Sequence, residues 1–282
     1  MGLFDFGYNK PRKDIEKDDK EKHRIFIFFD VIFRKFMKFM QLNMLYLAFS
    51  IPYIALLYWF SPLNANTMSY IGLNGIGAFV QTLPQEDFST FDFLLRSLFA
   101  FAMVILWGSG PASAGSAYIM RNFAREEHAW VFSDFWDSLK HNFCKSMIVL
   151  LVDIAVLYLS LTAFNFYSSL YILSENTIYL VAQGILAFIL ILYTFMHYYI
   201  YQLMVTYESS LKSLYKNCML FAIAKFPQNI LMTVLSFGIL LGLYVLINVF
   251  AFMALILGFT IIFKFIIEFY SSDIIRKTAD MQ

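Results

Sequence analysis

Residues Ile230–Tyr270 read ILMTVLSFGILLGLYVLINVFAFMALILGFTIIFKFIIEFY, about forty residues broken by one lysine and one glutamate. One helix crosses about 30 Å of hydrocarbon with about 20 residues, so this stretch is one span too long for a single crossing. It predicts two helices, with a turn near Asn248–Phe252.

Four more apolar runs precede it, at 42–60, 91–108, 147–166 and 178–204. With 230–250 and 253–270 they make six predicted spans in a membrane domain covering 25–282, behind a charged cytoplasmic tail at 1–24. The fold class expected is all-α, a polytopic helical membrane protein. The composition agrees: 60% of the 282 residues are hydrophobic and 15% charged, against about 45–50% and about 25% in soluble domains. A net charge of +1 marks no nucleic-acid partner. The bilayer is the first partner expected, and no cleavable signal peptide is apparent.

The charges order these spans. Ser61–Thr90, Tyr167–Thr177 and the final turn contain no Lys or Arg, whereas 19 of the 21 basic residues fall in the remaining segments outside the spans. Basic loops stay in the cytoplasm, so both termini and the loops Gly110–Ser146 and Val205–Asn229 are expected there, in the cell membrane. Trp59, Trp107, Tyr198, Tyr199 and Tyr270 are expected as interfacial aromatics. Ile76–Leu83 could carry a short interfacial helix within the outer loop.

Ile25–Phe39 places phenylalanines at helical spacing opposite Arg34, Lys35 and Lys38, the pattern of a helix lying in the membrane interface or packed beneath the first span. Related basic, aromatic stretches at Phe29–Met44, Phe132–Ile148 and Leu214–Leu231 each run into an apolar segment. They suggest three repeated hairpins, each begun by an amphipathic helix; convergence on the needs of any cytoplasmic approach explains them equally well.

Ionisable side chains inside spans are costly and need a partner or water. Arg96 can pair with Asp92 one turn away. Asp153, His197 and Lys264 fall at similar depth near the inner side and could form one intramembrane polar site; alternatively Lys264 pairs with Glu268 at i,i+4. Gly108–Gly115 is rich in small residues, and Pro111 suits a helix start, so a span ends there and a cytoplasmic helix begins, or the bend packs closely against other helices. A Ser109–His197 dyad would be needed for protease chemistry, and spacing gives it no support. No phosphate loop, dinucleotide fingerprint, HExxH or CxxC occurs. Cys144 and Cys218 make no metal or disulfide framework, so neither cofactor, metal nor catalysis is expected.

The stretches RKFMKFMQLNMLYLAFSIPYI (Arg34–Ile54) and GPASAGSAYIMRNFAREEHAWVFSDFWDSLKHNF (Gly110–Phe143) resemble the YesL-like family of bacterial integral membrane proteins of unknown function. Its members are often encoded beside carbohydrate ABC transporters. The resemblance implies a non-enzymatic accessory role with such transporter subunits as partners, and it supplies no catalytic residues. The long Ser61–Thr90 loop is a departure from relatives. In this reading Gly110, Pro111, Arg121, Arg125, Glu126, Trp130 and Trp136 form a cytoplasmic contact surface. The alternative is a small-solute transporter using Asp153, His197 and Lys264, with Asn165, Gln183 and Asn248 extending a polar path outward.

Overall fold

The computed structural model describes residues 23–61, 84–246 and 249–279. Among them the chain is wholly helical: α1 Arg24–Arg34, α2 Phe36–Trp59, α3 Gln85–Leu106, α4 Pro111–Ala124, α5 Val131–His141, α6 Phe143–Ser174, α7 Ile178–Thr206, α8 Leu211–Ala224, α9 Phe226–Leu246 and α10 Val249–Ala279. Four helices are long and apolar enough to cross a membrane, and a fifth candidate is the bent pair α8–α9. The tail before His23 and the expected helix at Ile76–Leu83 lie outside the described residues, as does Asn248.

Three boundaries differ from expectation. The helix that holds the second expected span starts at Gln85, with its candidate span at Ser89–Leu106, and α6 continues through Tyr167–Ser174, where an outer loop was expected. Its turn is only Glu175–Thr177, opened by Glu175 in the left-handed conformation (φ 54°). The last helix begins at Val249, so Val249–Phe252 is helical, and it runs to Ala279, well past the expected end at Tyr270. Apolar composition reports the hydrocarbon-facing part of a helix; backbone hydrogen bonding carries it further into polar sequence.

The three basic stretches become one repeated device. α1 joins α2 through Lys35 alone, α5 joins α6 through Asn142 alone, and α8 joins α9 through Lys225 alone. The three single-residue elbows share one backbone conformation, with φ/ψ of −106°/17°, −99°/8° and −110°/22°. The third turns the chain by 83°. Side chains keep register across the copies. A phenylalanine follows every elbow (Phe36, Phe143, Phe226), and one turn later Phe39, Ser146 and Asn229 are fully buried. Phe29, Trp136 and Met219, at equal distance before their elbows, are exposed. Local sequence sets the elbow: the polar face of the short helix ends where the apolar run of the long one begins, and one non-helical residue reconciles the two directions.

α4 stands outside this repetition and at the centre of the bundle. Ala112, Ser113, Ala114, Gly115, Ser116 and Ala117 are all buried. These residues let neighbouring helices approach closely; a Cβ on Gly115 would lie 2.9 Å from the Phe135 ring of α5. The expected helix end and the new start at Pro111 are both found, and the bend between them is closely packed, as the alternative had it. The C-terminal end of α4 is held by α1 and the start of α2. Arg34 pairs with Glu126 at 2.9 Å, while Lys35 and Lys38 donate to the carbonyls of Glu127 (2.7 Å) and Ala129 (3.1 Å). Cations at a helix C-terminus complement its dipole. Burial, with Arg34 and Lys38 alongside, pulls the Lys35 ammonium down to about 8.

Candidate intramembrane polar site

Within the apolar run of α2, Asn43, Tyr46, Ser50 and Tyr53 recur along one face and all are buried. This stripe meets two broken helices. α10 departs from helical geometry at Phe259 (φ −127°, ψ 18°). There Asn43 donates its amide to the carbonyls of Leu257 (2.8 Å) and Gly258 (3.0 Å) and accepts from the Ile261 N–H (3.0 Å). The amide supplies the partners that an uninterrupted helix would have provided, as buried backbone requires in lipid.

The second break lies between α3 and α4. Gly108 (φ +87°) and Gly110 (φ +64°) adopt conformations that side chains resist. A Cβ on Gly108 would lie 2.4 Å from Ser113 Oγ and 2.7 Å from the Tyr201 ring. Ser50 Oγ lies 2.6 Å from Ser109 Oγ, Tyr46 donates to the Val104 carbonyl at 2.9 Å, and the Gly110 N–H donates to Tyr201 Oη at 3.1 Å.

Beside this break α6 and α7 bring Asp153 and His197 together. Both side chains are fully buried, and His197 Nε2 lies 3.0 Å from Asp153 Oδ1. Tyr193, one turn before His197, donates to the same oxygen at 2.6 Å. The other imidazole nitrogen, Nδ1, is 3.1 Å from the carbonyl of Trp107, the last residue before the break. Trp107 stacks on the imidazole (centroids 5.5 Å apart, 13° between planes) and donates its indole N–H to Thr194. Asp153 Oδ2, Tyr53 Oη and His197 Nε2 are buried and lack a hydrogen-bond partner among the described residues, so the 3.0 Å approach of the imidazole to Asp153 Oδ1 is a close polar contact rather than an aligned hydrogen bond.

Lys264 does not join the pair. It lies 3.5 Å from Glu268 on its own helix, with its ammonium 5.9 and 5.6 Å from the ring centroids of Tyr46 and Tyr201. The i,i+4 alternative is the one formed, and the expected trio divides into a dyad and an ion pair, with Tyr201 touching both surroundings. Arg96 pairs with Asp92 as expected (2.7 Å). Ser109 Oγ is hydrogen-bonded to Ser50 and His197 Nδ1 to the Trp107 carbonyl, and no hydrogen bond joins Ser109 to His197 among the described residues. Gln183 donates to Phe164 O and Ser168 Oγ within the α6–α7 hairpin.

The expected contact surface divides between the interior and the outside. Gly110 is buried, and Arg121 is turned inward onto the Val205 carbonyl at 2.6 Å and over the Tyr118 ring. Pro111 and Arg125 are half-buried, whereas Glu126 and Trp130 are exposed and Trp136 is barely so. Among the expected interfacial aromatics, Trp59 is exposed; Trp107, Tyr198 and Tyr199 are buried. They sit near span ends in sequence but serve the interior, a distinction hydropathy does not carry.

Part of this geometry, the α2 stripe, the Gly108–Gly110 break and Asp153, falls within one recognisable segment. Residues 39–166 match the family described as “Protein of unknown function, DUF624”. The DUF624 match runs from the buried Phe39 of α2, through both sides of the Gly108–Gly110 break, to α6 and Asp153; His197 and Lys264 lie beyond it. This is the family to which the YesL-like proteins belong. No curated protein and no solved structure matches the chain.

Proposed function

We propose that the chain crosses the cell membrane six times with both termini in the cytoplasm, and that it is a small-solute transporter, without catalytic chemistry, working through Asp153 and His197. The observation that carries this reading is the contact of two fully buried ionisable groups from different helices at 3.0 Å, against a helix break. Buried ionisable groups in a membrane are expensive and mark ion or substrate paths, and transporter sites are commonly built where helices are discontinuous. The three in-register elbows support the six-crossing count. If every amphipathic helix rests at the same face, each unit must cross twice before the next begins, so the number is even. The empty outer segments support the orientation.

The test is uptake by purified protein in liposomes carrying an internal pH dye, offered mono- and disaccharides in turn. Asp153→Asn and His197→Gln should abolish any solute-driven proton signal of the parent. No flux in the parent, or unchanged flux in both variants, removes the reading.

A second reading, an accessory subunit of a carbohydrate ABC uptake system, has its own support in Trp130. It is 69% exposed, stacked edge-on with His128 and followed by exposed Phe132. Exposed tryptophan is a frequent binding anchor. Purification in mild detergent at native expression should then recover permease or ATPase subunits, and repeated recovery of the chain alone would exclude it.

A further inference from the structure

The elbow helices leave a second surface unexplained. On α1, Phe26, Phe29 and Phe33 form an exposed line, with Phe33 77% exposed. On α5 the corresponding line is Phe132, Trp136 and Lys140, the ammonium lying 5.3 Å above the Trp136 ring. On α8 it is Lys212, Lys216, Leu220 and Ile223, each one turn from the next and all exposed. The three lines are in register about Lys35, Asn142 and Lys225, and each continues across its elbow into a long apolar helix. Apart from Trp136, whose inner side rests on Phe49 of α2 (ring centroids 5.4 Å apart), no residue of these lines is covered by another described part of the chain.

We propose that these three lines form one belt that binds the anionic headgroups of a single membrane leaflet. Continuity identifies the occupant: an elbow of one residue cannot separate its short helix from the surface its long helix penetrates. The pairing of aromatic or aliphatic side chains with lysines on the same face is what the headgroup–acyl boundary selects, the stems lying along apolar surface and the ammonium groups reaching phosphate. The lysines on α5 and α8 are available for this. Lys35 and Lys38 of the first copy are committed to α4 carbonyls, so there the aromatics carry the contact and α5 and α8 supply the charge selectivity. This inference does not depend on transport activity.

The full chain would be placed in nanodiscs of phosphatidylcholine with phosphatidylglycerol. With Cys144→Ser as background, spin labels at Phe29→Cys, Trp136→Cys and Met219→Cys report depth through oxygen and nickel-chelate accessibility. All three labels should lie at the same depth, about 5–10 Å inside the headgroup boundary. Native mass spectrometry of the unsubstituted chain should show retained phosphatidylglycerol over phosphatidylcholine. The enrichment should fall about fivefold for each of Lys140→Gln, Lys212→Gln and Lys216→Gln. Labels open to nickel place the helices in water and overturn the proposal. Labels shielded from both reagents indicate a protein cover, which also overturns it, and equal retention of the two lipids overturns the charge selectivity.

Discussion

Asn43 on α2 and Gly258 on α10 are joined by a 3.0 Å hydrogen bond that links two helices more than two hundred residues apart in the chain, at the point where α10 leaves helical geometry. The same amide reaches Leu257 O and its oxygen takes the Ile261 N–H, so one side chain satisfies three backbone groups. Asn43→Leu keeps the volume and removes every partner. Each unsatisfied buried group costs about 1–3 kcal/mol, though α10 can recover some bonds by straightening. A loss of about 2–4 kcal/mol is expected in detergent unfolding followed by circular dichroism. A change below about 0.5 kcal/mol would mean that the break does not need Asn43.

The glycines divide sharply. Gly108→Ala meets Ser113 and Tyr201 at a positive φ, and should cost about 1–3 kcal/mol. Gly184→Ala, on α7 with nothing within 4 Å of the added methyl, should be neutral or stabilise by up to about 1 kcal/mol. Melting temperatures of the two variants in one detergent decide this; equal shifts would contradict the strained break.

Asp153 and His197 should behave as a unit. Removing one partner strands the other in the interior, at a cost of about 3–5 kcal/mol, while replacing both is far milder. In a cycle of Asp153→Asn, His197→Gln and the double variant, the double should be less destabilised than the sum of the singles by at least about 1 kcal/mol. Simple additivity would show that the 3.0 Å contact carries no coupling.

Lys35 gives a pH signature outside the spans. Its ammonium is lowered to about 8, below the roughly 10.4 of an unfolded lysine. The folded state therefore binds fewer protons than the unfolded state between those values. Its contribution is least favourable below pH 8, and stability rises as pH climbs towards about 10.4. Acylation of Lys35, followed by mass spectrometry against pH, should give a half-maximal rate near pH 8; a midpoint above 10 would refute it. The stability of Lys35→Met should lack the rise that the parent shows across this window.

Cys144 follows the second elbow and is exposed, whereas Cys218 is buried on α8. With Cys144→Ser as background, a membrane-impermeant maleimide should label Glu208→Cys, in the exposed loop between α7 and α8, in inside-out vesicles and not in intact cells, and spare Cys218 in both. Labelling from the cell exterior would reverse the proposed orientation.

Much of this was legible in the chain. Hydropathy located the apolar helices, and the recurrence at Phe29–Met44, Phe132–Ile148 and Leu214–Leu231 marked the places where elbows form. Helical spacing brought Asp92 to Arg96 and Glu268 to Lys264. The α2 stripe was present at Asn43, Tyr46, Ser50 and Tyr53 but is faint, because tyrosine and serine barely depress the hydropathy of a run rich in Leu and Phe. What could not be read was rotation. Depth along a helix placed Asp153, His197 and Lys264 at one level; the side each faces depends on packing, and packing separated Lys264 from the other two. The inward course of α4 was hidden for a similar reason, since small residues suit both a turn at the surface and a crowded centre.

A joint of one residue has only two freely turning bonds. Lys35, Asn142 and Lys225 therefore leave no slack between the helices they connect, and a short helix cannot tilt without levering the long one. Lateral pressure in a leaflet, felt as a change in how steeply three short rods lie, would reach the bundle as torque on α2, α6 and α9. If the short helices are seated in a leaflet as proposed, a change in their tilt would be passed on to the bundle rather than absorbed at the joints.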